Sequence, residues 1–294
     1  MEKKVSVIIP FYRSVKWLEE SVQSVLEQTY KNIEIIVIND GSPEDLTSFL
    51  SKYKDSIVYK YQENQGPAVA RNFGMSIATG DYIAFEDADD LWCPTKLEKQ
   101  IAFMEQFGFE WSHTGYYNWW PERDKLKVVN NKNDYDDISK QIIVSCHIAT
   151  PSVVIRRQVL NNNMNIRFPD NKRIGEDTSF YRCLSLKYPI ALIEEPLVKV
   201  RMRANNSYSD VLKRFKLRGE LFSEDESFPP MIKYIGSVYT YYHRLFGLES
   251  NRIKVFFAKV FLVLPFSLER MYVRRIVKNS KKNKKYVLPF NNKR

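Results

Sequence analysis

The sequence predicts an α/β fold, an open and mainly parallel twisted sheet flanked by helices, with a C-terminal helical extension. Two observations predict it: short apolar β-type runs alternate with helical periodicities through the N-terminal third, and beyond residue 207 the pattern turns helical. Residues 5–9 form an apolar run with Ser6 as its one polar member, closed by Pro10, and read as a buried parallel strand. Val15, Leu18, Val22, Val25 and Leu26 then recur at helical spacing, with Glu19, Glu20, Gln23 and Glu27 on other faces. A second apolar run, 34–38, is closed by Asn39, Asp40, Gly41 and Ser42 and completes a β-α-β unit. Ser42 as N-cap, Pro43 at the first helical position and Asp45 three residues after the cap predict a helix starting there. A strand at 57–61 and a helix at 67–78 continue the alternation, followed by the β-prone run Tyr82, Ile83, Ala84, Phe85 and a helix from near Pro94.

That last run ends in Asp87, Asp89 and Asp90. Asp87 and Asp89 are two apart and, in extended backbone, project the same way. Like charges this close need a cation or solvent, and Mg²⁺ or Mn²⁺ prefers few carboxylates plus phosphate oxygens and water. The competing reading is an acidic, solvated turn. In open α/β sheets ligands bind outside the carboxyl ends of the strands, so Pro10 to Tyr12, Asp40 and Asp87 to Asp90 converge on one edge. There Asp40 is placed to accept hydrogen bonds from a base or ribose and Tyr12 to stack on a base; a turn-former and an ordinary aromatic are the plainer readings.

The middle of the chain is less specific. Trp111, Tyr116, Tyr117, Trp119 and Trp120 suit either buried packing or a sugar-stacking acceptor surface. Residues 130–137, rich in Asn, Lys and Asp, read as an exposed loop, and His147 as either structural or acceptor-facing. Thr178, Phe180, Tyr181, Leu184 and Leu186 mark a helix that Asp177 opens; an acid there also suits the helix dipole without further function.

Six ordered blocks give a resemblance: Val5-Ser-Val-Ile-Ile-Pro-Phe-Tyr12, Ser24-Val-Leu-Glu-Gln-Thr-Tyr30, Glu34-Ile-Ile-Val-Ile-Asn-Asp-Gly-Ser42, Gly66-Pro-Ala-Val-Ala-Arg-Asn72, Asp87-Ala-Asp-Asp90 and Gly175-Glu-Asp177. Over residues 4–207 the chain resembles glycosyltransferase family 2. The resemblance implies a GT-A fold, with 1–108 as a nucleotide-sugar-binding half, 109–207 as the acceptor-binding half and 208–294 as a helical extension with a basic tail. It implies inverting transfer of a sugar from a nucleotide-sugar donor, UDP by family habit, to a glycan or lipid-linked glycan acceptor, with Mn²⁺ or Mg²⁺ as cofactor. Carried across residue by residue, Asp177 is the general base and Asp40 a nucleoside contact. Asp87, Ala88 and Asp89 are the Asp-x-Asp stretch, its two acids near ribose and metal, while Pro10 and Tyr12 line the nucleotide pocket. Arg71, and Arg201 and Arg203 on an expected flexible loop, add positive charge for the diphosphate, although Arg71 equally suits a helix-surface salt bridge. The chain departs from the family at Pro43-Glu44, and at Arg203, which stands where a histidine is usual.

The composition, 44% hydrophobic over 294 residues, is that of a globular enzyme, and three cysteines without ligand spacing suit a reducing cytoplasm. The net charge of +10 is a tail property: residues 270–294 hold ten Lys/Arg and no acid, leaving 35 basic and 35 acidic residues before them. Ile253, Phe256, Phe257, Val260, Phe261, Leu264 and Leu268 precede the tail at helical spacing, in a run shorter than the roughly 20 residues of a bilayer span. The expectation is a cytoplasmic protein that touches the inner face of the cell membrane through 253–294, the stripe at the interface and the tail on anionic lipid. A helix packed on the core with a free tail is the alternative; equal liposome flotation by the full chain and a variant ending near Ser250 would remove the membrane contact.

Two other function classes fit less well. A sugar-phosphate nucleotidyltransferase needs a glycine-rich phosphate loop with a nearby lysine, which the first strand lacks. A nucleic-acid binder is disfavoured by the neutral body and by a tail without interleaved aromatics, so no nucleic-acid partner is expected.

Overall fold

The computed structural model describes residues 2–129, 132, 134–142, 146–170, 175–203, 219, 222, 228–246, 265, 267–269, 271–272, 275 and 283–289. The N-terminal strands pair as their apolar runs predict: β1 (Val5–Phe11) lies between β2 (Ile33–Asp40) and β4 (Tyr82–Phe85), and β3 (Val58–Gln62) extends the sheet beyond β2, all parallel. Val5, Val7, Ile9 and Phe11 pack with Leu18, Val22 and Val25 of helix α1 (Val15–Leu26) in one apolar cluster. On the other face of β1, Ile8 meets Gly74 of α3 (Pro67–Ile77). Burial on both faces is why these strands read as continuous apolar runs.

Beyond β4 the sheet becomes mixed. β8 (Val154–Arg156) runs antiparallel between β4 and β6 (Trp111–Trp120), and β6 pairs in parallel with β9 (Ala191–Arg201). The strand order is β10-β9-β6-β8-β4-β1-β2-β3, with β5 (Leu91–Trp92) on β9 and β7 (Lys125–Val128) on β6. β6 and β9 therefore point their carboxyl ends to the same edge as β1, β2 and β4. Their register shifts on either side of Gly115, where an added Cβ would sit 2.5 Å from the Glu194 carbonyl oxygen. The bulge exists because glycine permits that approach.

Three expectations are corrected, and of the two readings of the Trp/Tyr cluster buried packing holds for Trp111 and Tyr116. Helix α2 begins at Thr47, not after Ser42. Glu44 is drawn away to α1, accepting from the Ser14 and Val15 N–H groups at 2.7 and 2.9 Å, while Asp45 accepts from Thr47. A distant carboxylate thus caps α1, and its own helix starts late. Residues 130–137 are not simply an exposed loop: Asp134 is buried, and Asp136 bridges Ile190. Trp111 and Tyr116 are core, the Trp111 Nε1 donating to the Tyr188 carbonyl, whereas Trp119 and Trp120 stay partly exposed. The C-terminal stretch contributes a strand, β10 (Val287–Leu288), parallel to β9, because Tyr286 before it stacks on Phe109.

The chain forms two compact units, 1–138 with 147–203 and 282–294, and 139–146 with 204–281. The first also holds α4 (Lys96–Phe107), α5 (Arg157–Asn161) and α6 (Glu176–Ser185). In the second, helix α7 (Pro230–Phe246) buries Ile232, Ile235 and Tyr239, whose hydroxyl donates to Glu269. Residues 204–218 and nearly all of the 253–268 stripe lie outside the described residues, as does most of the basic tail. Among the described residues no helix is long and apolar enough to cross a membrane.

Candidate active site

The carboxyl ends of β1, β2 and β4 stand side by side, as Phe11 opposite Asn39 and Ile8 opposite Phe85 require. Pro10 pairs with Ile38 and is partly buried, whereas Tyr12, just past the strand, is 41% exposed with Arg13 over its ring. Asp40 is buried and already committed: Oδ1 accepts from Gln62 Nε2 and the Gln65 N–H, and Oδ2 from the Gly66 N–H, at 2.8–2.9 Å. In this structure its carboxylate therefore braces the loop that starts α3.

Glu86 continues the β1 ladder, its N–H donating to the Ile8 carbonyl, and a turn closed by the Asp90 N–H on the Asp87 carbonyl follows. Asp87 and Asp89 keep 28% and 19% of their side-chain surface, Ala88 between them packs against the core, and Asp90 is buried. Burial first, and the Asp87 charge second, push the Asp89 carboxyl above its ordinary range. Two crowded, half-desolvated carboxylates with solvent-facing surface fit a hard divalent cation that takes its remaining ligands from phosphate and water. Among the described residues there is no cluster of three or more acid, histidine or cysteine ligands, so protein groups alone would not complete a coordination sphere. Beneath the turn, Glu86 and Lys96 are wholly buried. Lys96 donates to Gln100 and stacks on Trp92 at 4.0 Å, and burial lowers its pKa to about 7 while Glu86 is pushed well above the carboxylate range. Neither residue stands out in the sequence as anything but charged surface.

Arg71 ties the acidic turn to the first turn of α6. It is 5% exposed, its Nη2 lies 2.7 Å from Asp87 Oδ1, and its Nη1 lies 3.6 Å from Glu176 Oε1. Its guanidinium also lies over Phe168 at 5.3 Å, and the next residue, Asn72, bonds Phe168 at both backbone polar atoms. The helix-surface salt bridge is thereby excluded, since α3 turns this arginine inward. Asp177, beside Glu176 in the first turn of α6, is consequently close enough to Arg71 and Asp87 to feel both charges. Its Oδ1 accepts from the Thr178 N–H at 2.6 Å, and burial raises its pKa against the lowering pull of that bond and of Arg71. Glu176 is raised further, to about 7, by burial and then by the Asp177 charge.

Arg201 is a correction. It ends β9 rather than lying on a flexible loop, it is 6% exposed, and its guanidinium is held between the rings of Trp17 (5.1 Å) and Trp119 (4.4 Å). Its Nε donates to the Asp89 carbonyl, its Nη2 to Glu20, and its N–H to the Asp90 carboxylate. Arg201 positions the acidic turn. Arg203, 51% exposed, instead pairs with Asp89 Oδ2 at 2.7 Å. Sequence reasoning missed Trp17 and Glu20, whose only signal is an aromatic and an acid one helical turn apart in α1. His147 bonds Asp134, which raises its pKa.

Comparison with known proteins identifies the family. Residues 6–163 match the family model described as "Glycosyl transferase family 2". An "Uncharacterized glycosyltransferase" of Rickettsia bellii is 40% identical over 208 residues, 70% of this chain but 30% of that protein, so the chain spans under a third of that relative. The "Putative teichuronic acid biosynthesis glycosyltransferase TuaG" of Bacillus subtilis is 37% identical over 76% of this chain and 88% of its own length. An Escherichia coli protein described as "UDP-Glc:alpha-D-GlcNAc-diphosphoundecaprenol beta-1,3-glucosyltransferase WfaP" is 37% identical over 56% of this chain and 64% of its own. Among solved structures, S. aureus TarS 1–349 in complex with UDP superposes with a TM-score of 0.60 at 20% identity, covering 83% of this chain and 72% of that one. The Pyrobaculum calidifontis mannosyltransferase PcManGT in complex with GDP-Man and Mn²⁺ gives 0.58 at 15% identity, covering 96% and 89%.

Proposed function

The chain belongs to glycosyl transferase family 2, and from that premise we propose that it transfers a hexose, with inversion, from a UDP-sugar to a hydroxyl of a lipid-linked glycan during surface-polysaccharide assembly. The observation that carries the reading is the Arg71 bridge, which pairs with both Asp87 and Glu176, the neighbour of Asp177, and so links the acidic turn to the first turn of α6. Inverting displacement needs such an arrangement, because the acceptor hydroxyl attacks opposite the departing diphosphate. Asp177 is the general base: Thr178 holds Oδ1, so Oδ2 takes the acceptor proton. The raised pKa makes this carboxylate a stronger base than an exposed aspartate. Asp87 and Asp89 would hold Mn²⁺ or Mg²⁺, which when bound supplies charge neutralisation for the departing diphosphate. Arg71 keeps Asp87 in place, and Arg203 adds charge for the diphosphate. Pro10, Tyr12 and Ala88 line the nucleotide side, and Asp40 contacts the nucleoside through lone pairs its loop bonds do not use.

The UDP donor and lipid-linked acceptor are supported by TarS, which carries UDP or UDP-GlcNAc, and by the description of WfaP; the peripheral membrane contact through 253–294 suits such an acceptor. The test is a pair of substitutions. Asp177→Asn is expected to bind UDP within about twofold of wild type while transfer falls by about 10²–10⁴, the range for a lost general base. Asp89→Ala is expected to lose Mn²⁺-dependent UDP binding. Turnover retained in Asp177→Asn removes that residue as base, and metal-independent UDP binding in the wild type removes the metal.

A further inference from the structure

We infer that Arg203 is a two-position residue: it neutralises Asp89 while no cation is bound, and passes to the nucleotide diphosphate when the divalent ion takes that carboxylate. The inference rests on the transferase reading above.

The two arginines at the end of β9 differ in what holds them. Arg201 lies between two indole rings and donates to Asp89 and Glu20, so moving it would dismantle the acidic turn. Met202 makes a further ladder-like bond, its N–H donating to the Trp119 carbonyl at 2.7 Å. Arg203 lies just past that bond, half-exposed, on Asp89 Oδ2 at 2.7 Å and 5.4 Å from the Trp17 ring. Its guanidinium occupies one oxygen of a carboxylate to which a divalent ion would also be drawn.

A dication and a guanidinium held on one carboxylate repel each other. Metal entry and the Arg203–Asp89 pair are therefore in competition. The displaced guanidinium remains tethered two residues from a fixed anchor, beside the place of a diphosphate bound to the same ion. A planar fork with five donors suits phosphate oxygens and allows a bidentate grip that a lysine lacks. In both states the Asp89 charge has a cationic partner.

The full chain, Arg203→Ala and Arg203→Lys are compared in two titrations. Mn²⁺ binding without nucleotide is followed by the electron paramagnetic resonance signal of free Mn²⁺, and UDP binding at saturating Mn²⁺ by calorimetry. Arg203→Ala is expected to bind Mn²⁺ roughly two- to fivefold more tightly, the range for releasing a half-exposed ion pair. The same variant is expected to bind UDP about tenfold more weakly, through a lost charge-assisted contact. Arg203→Lys is expected to keep Mn²⁺ affinity near wild type yet lose most of the UDP contact. Opposite signs in the two titrations support the exchange, since a merely structural role weakens both. Unchanged or weaker Mn²⁺ binding by Arg203→Ala, or unchanged UDP binding, overturns the inference while leaving the transferase reading intact. A wild type that binds neither Mn²⁺ nor UDP overturns both.

Discussion

Removing the Arg71 charge tests the feature on which the site's geometry depends. Arg71→Met keeps an apolar side chain over Phe168 but deletes the group 2.7 Å from Asp87 and 3.6 Å from Glu176. Taking one partner from a buried ion pair costs about 3–5 kcal/mol, because the remaining charge stays desolvated. Asp87 is 28% exposed and Glu176 14% exposed, so water recovers part of that, and a loss of about 2–3 kcal/mol is expected. For a catalytic unit of this size that corresponds to a fall in Tm of roughly 5–10 °C. The pH dependence has a definite sign. Glu176 titrates near 7 when folded against 4.5 unfolded, so the folded state binds the proton more tightly, and stability falls as pH rises through that window. Arg71 opposes this fall by favouring the carboxylate. Its removal should therefore cost less at pH 5, where Glu176 is protonated and the Asp87 pair is the one lost, than at pH 8, where both pairs are lost. Differential scanning calorimetry of wild type and Arg71→Met at both values reads the difference directly. A deficit below about 2 °C at pH 8, or one no larger there than at pH 5, would falsify the claim that Arg71 clamps two carboxylates.

Two further substitutions probe how the fold supports the site. Asp40→Ala strands three donors, from Gln62, Gln65 and Gly66, and should lower stability by about 2–4 kcal/mol as well as weakening UDP binding; an unchanged thermal midpoint would show that the carboxylate is not a brace. Gly74→Ala would place a Cβ 2.4 Å from Ile8 Cγ2, an overpacking expected to cost about 1–3 kcal/mol and to be partly rescued by Ile8→Ala, which removes that methyl. Urea midpoints of the single and double variants measure both effects, and a neutral Gly74→Ala means α3 and β1 separate at little cost.

The expected order of elements held because β1, β2 and β4 are mostly apolar runs and α1 a clear stripe, and both signals are local. The boundary that moved, at α2, moved because Glu44 serves another helix 30 residues away in sequence, a bond no local cap rule foresees. The tail strand β10 was illegible for a similar reason: two residues pair only where β9 offers an edge.

By itself the sequence determined the family, the alternation of strand and helix, and the collection of Asp40 and Asp87 to Asp90 at strand ends, since side-chain alternation and the carboxyl-end rule operate within single elements. Only tertiary structure decided the fate of the arginines. A guanidinium's role depends on which carboxylates and rings surround it, and those come from segments far apart in the chain: Asp87 and Glu176 for Arg71, Trp17, Glu20 and Trp119 for Arg201. Three positively charged side chains that looked interchangeable as diphosphate contacts thus became a clamp, an anchor and a half-exposed cation on Asp89.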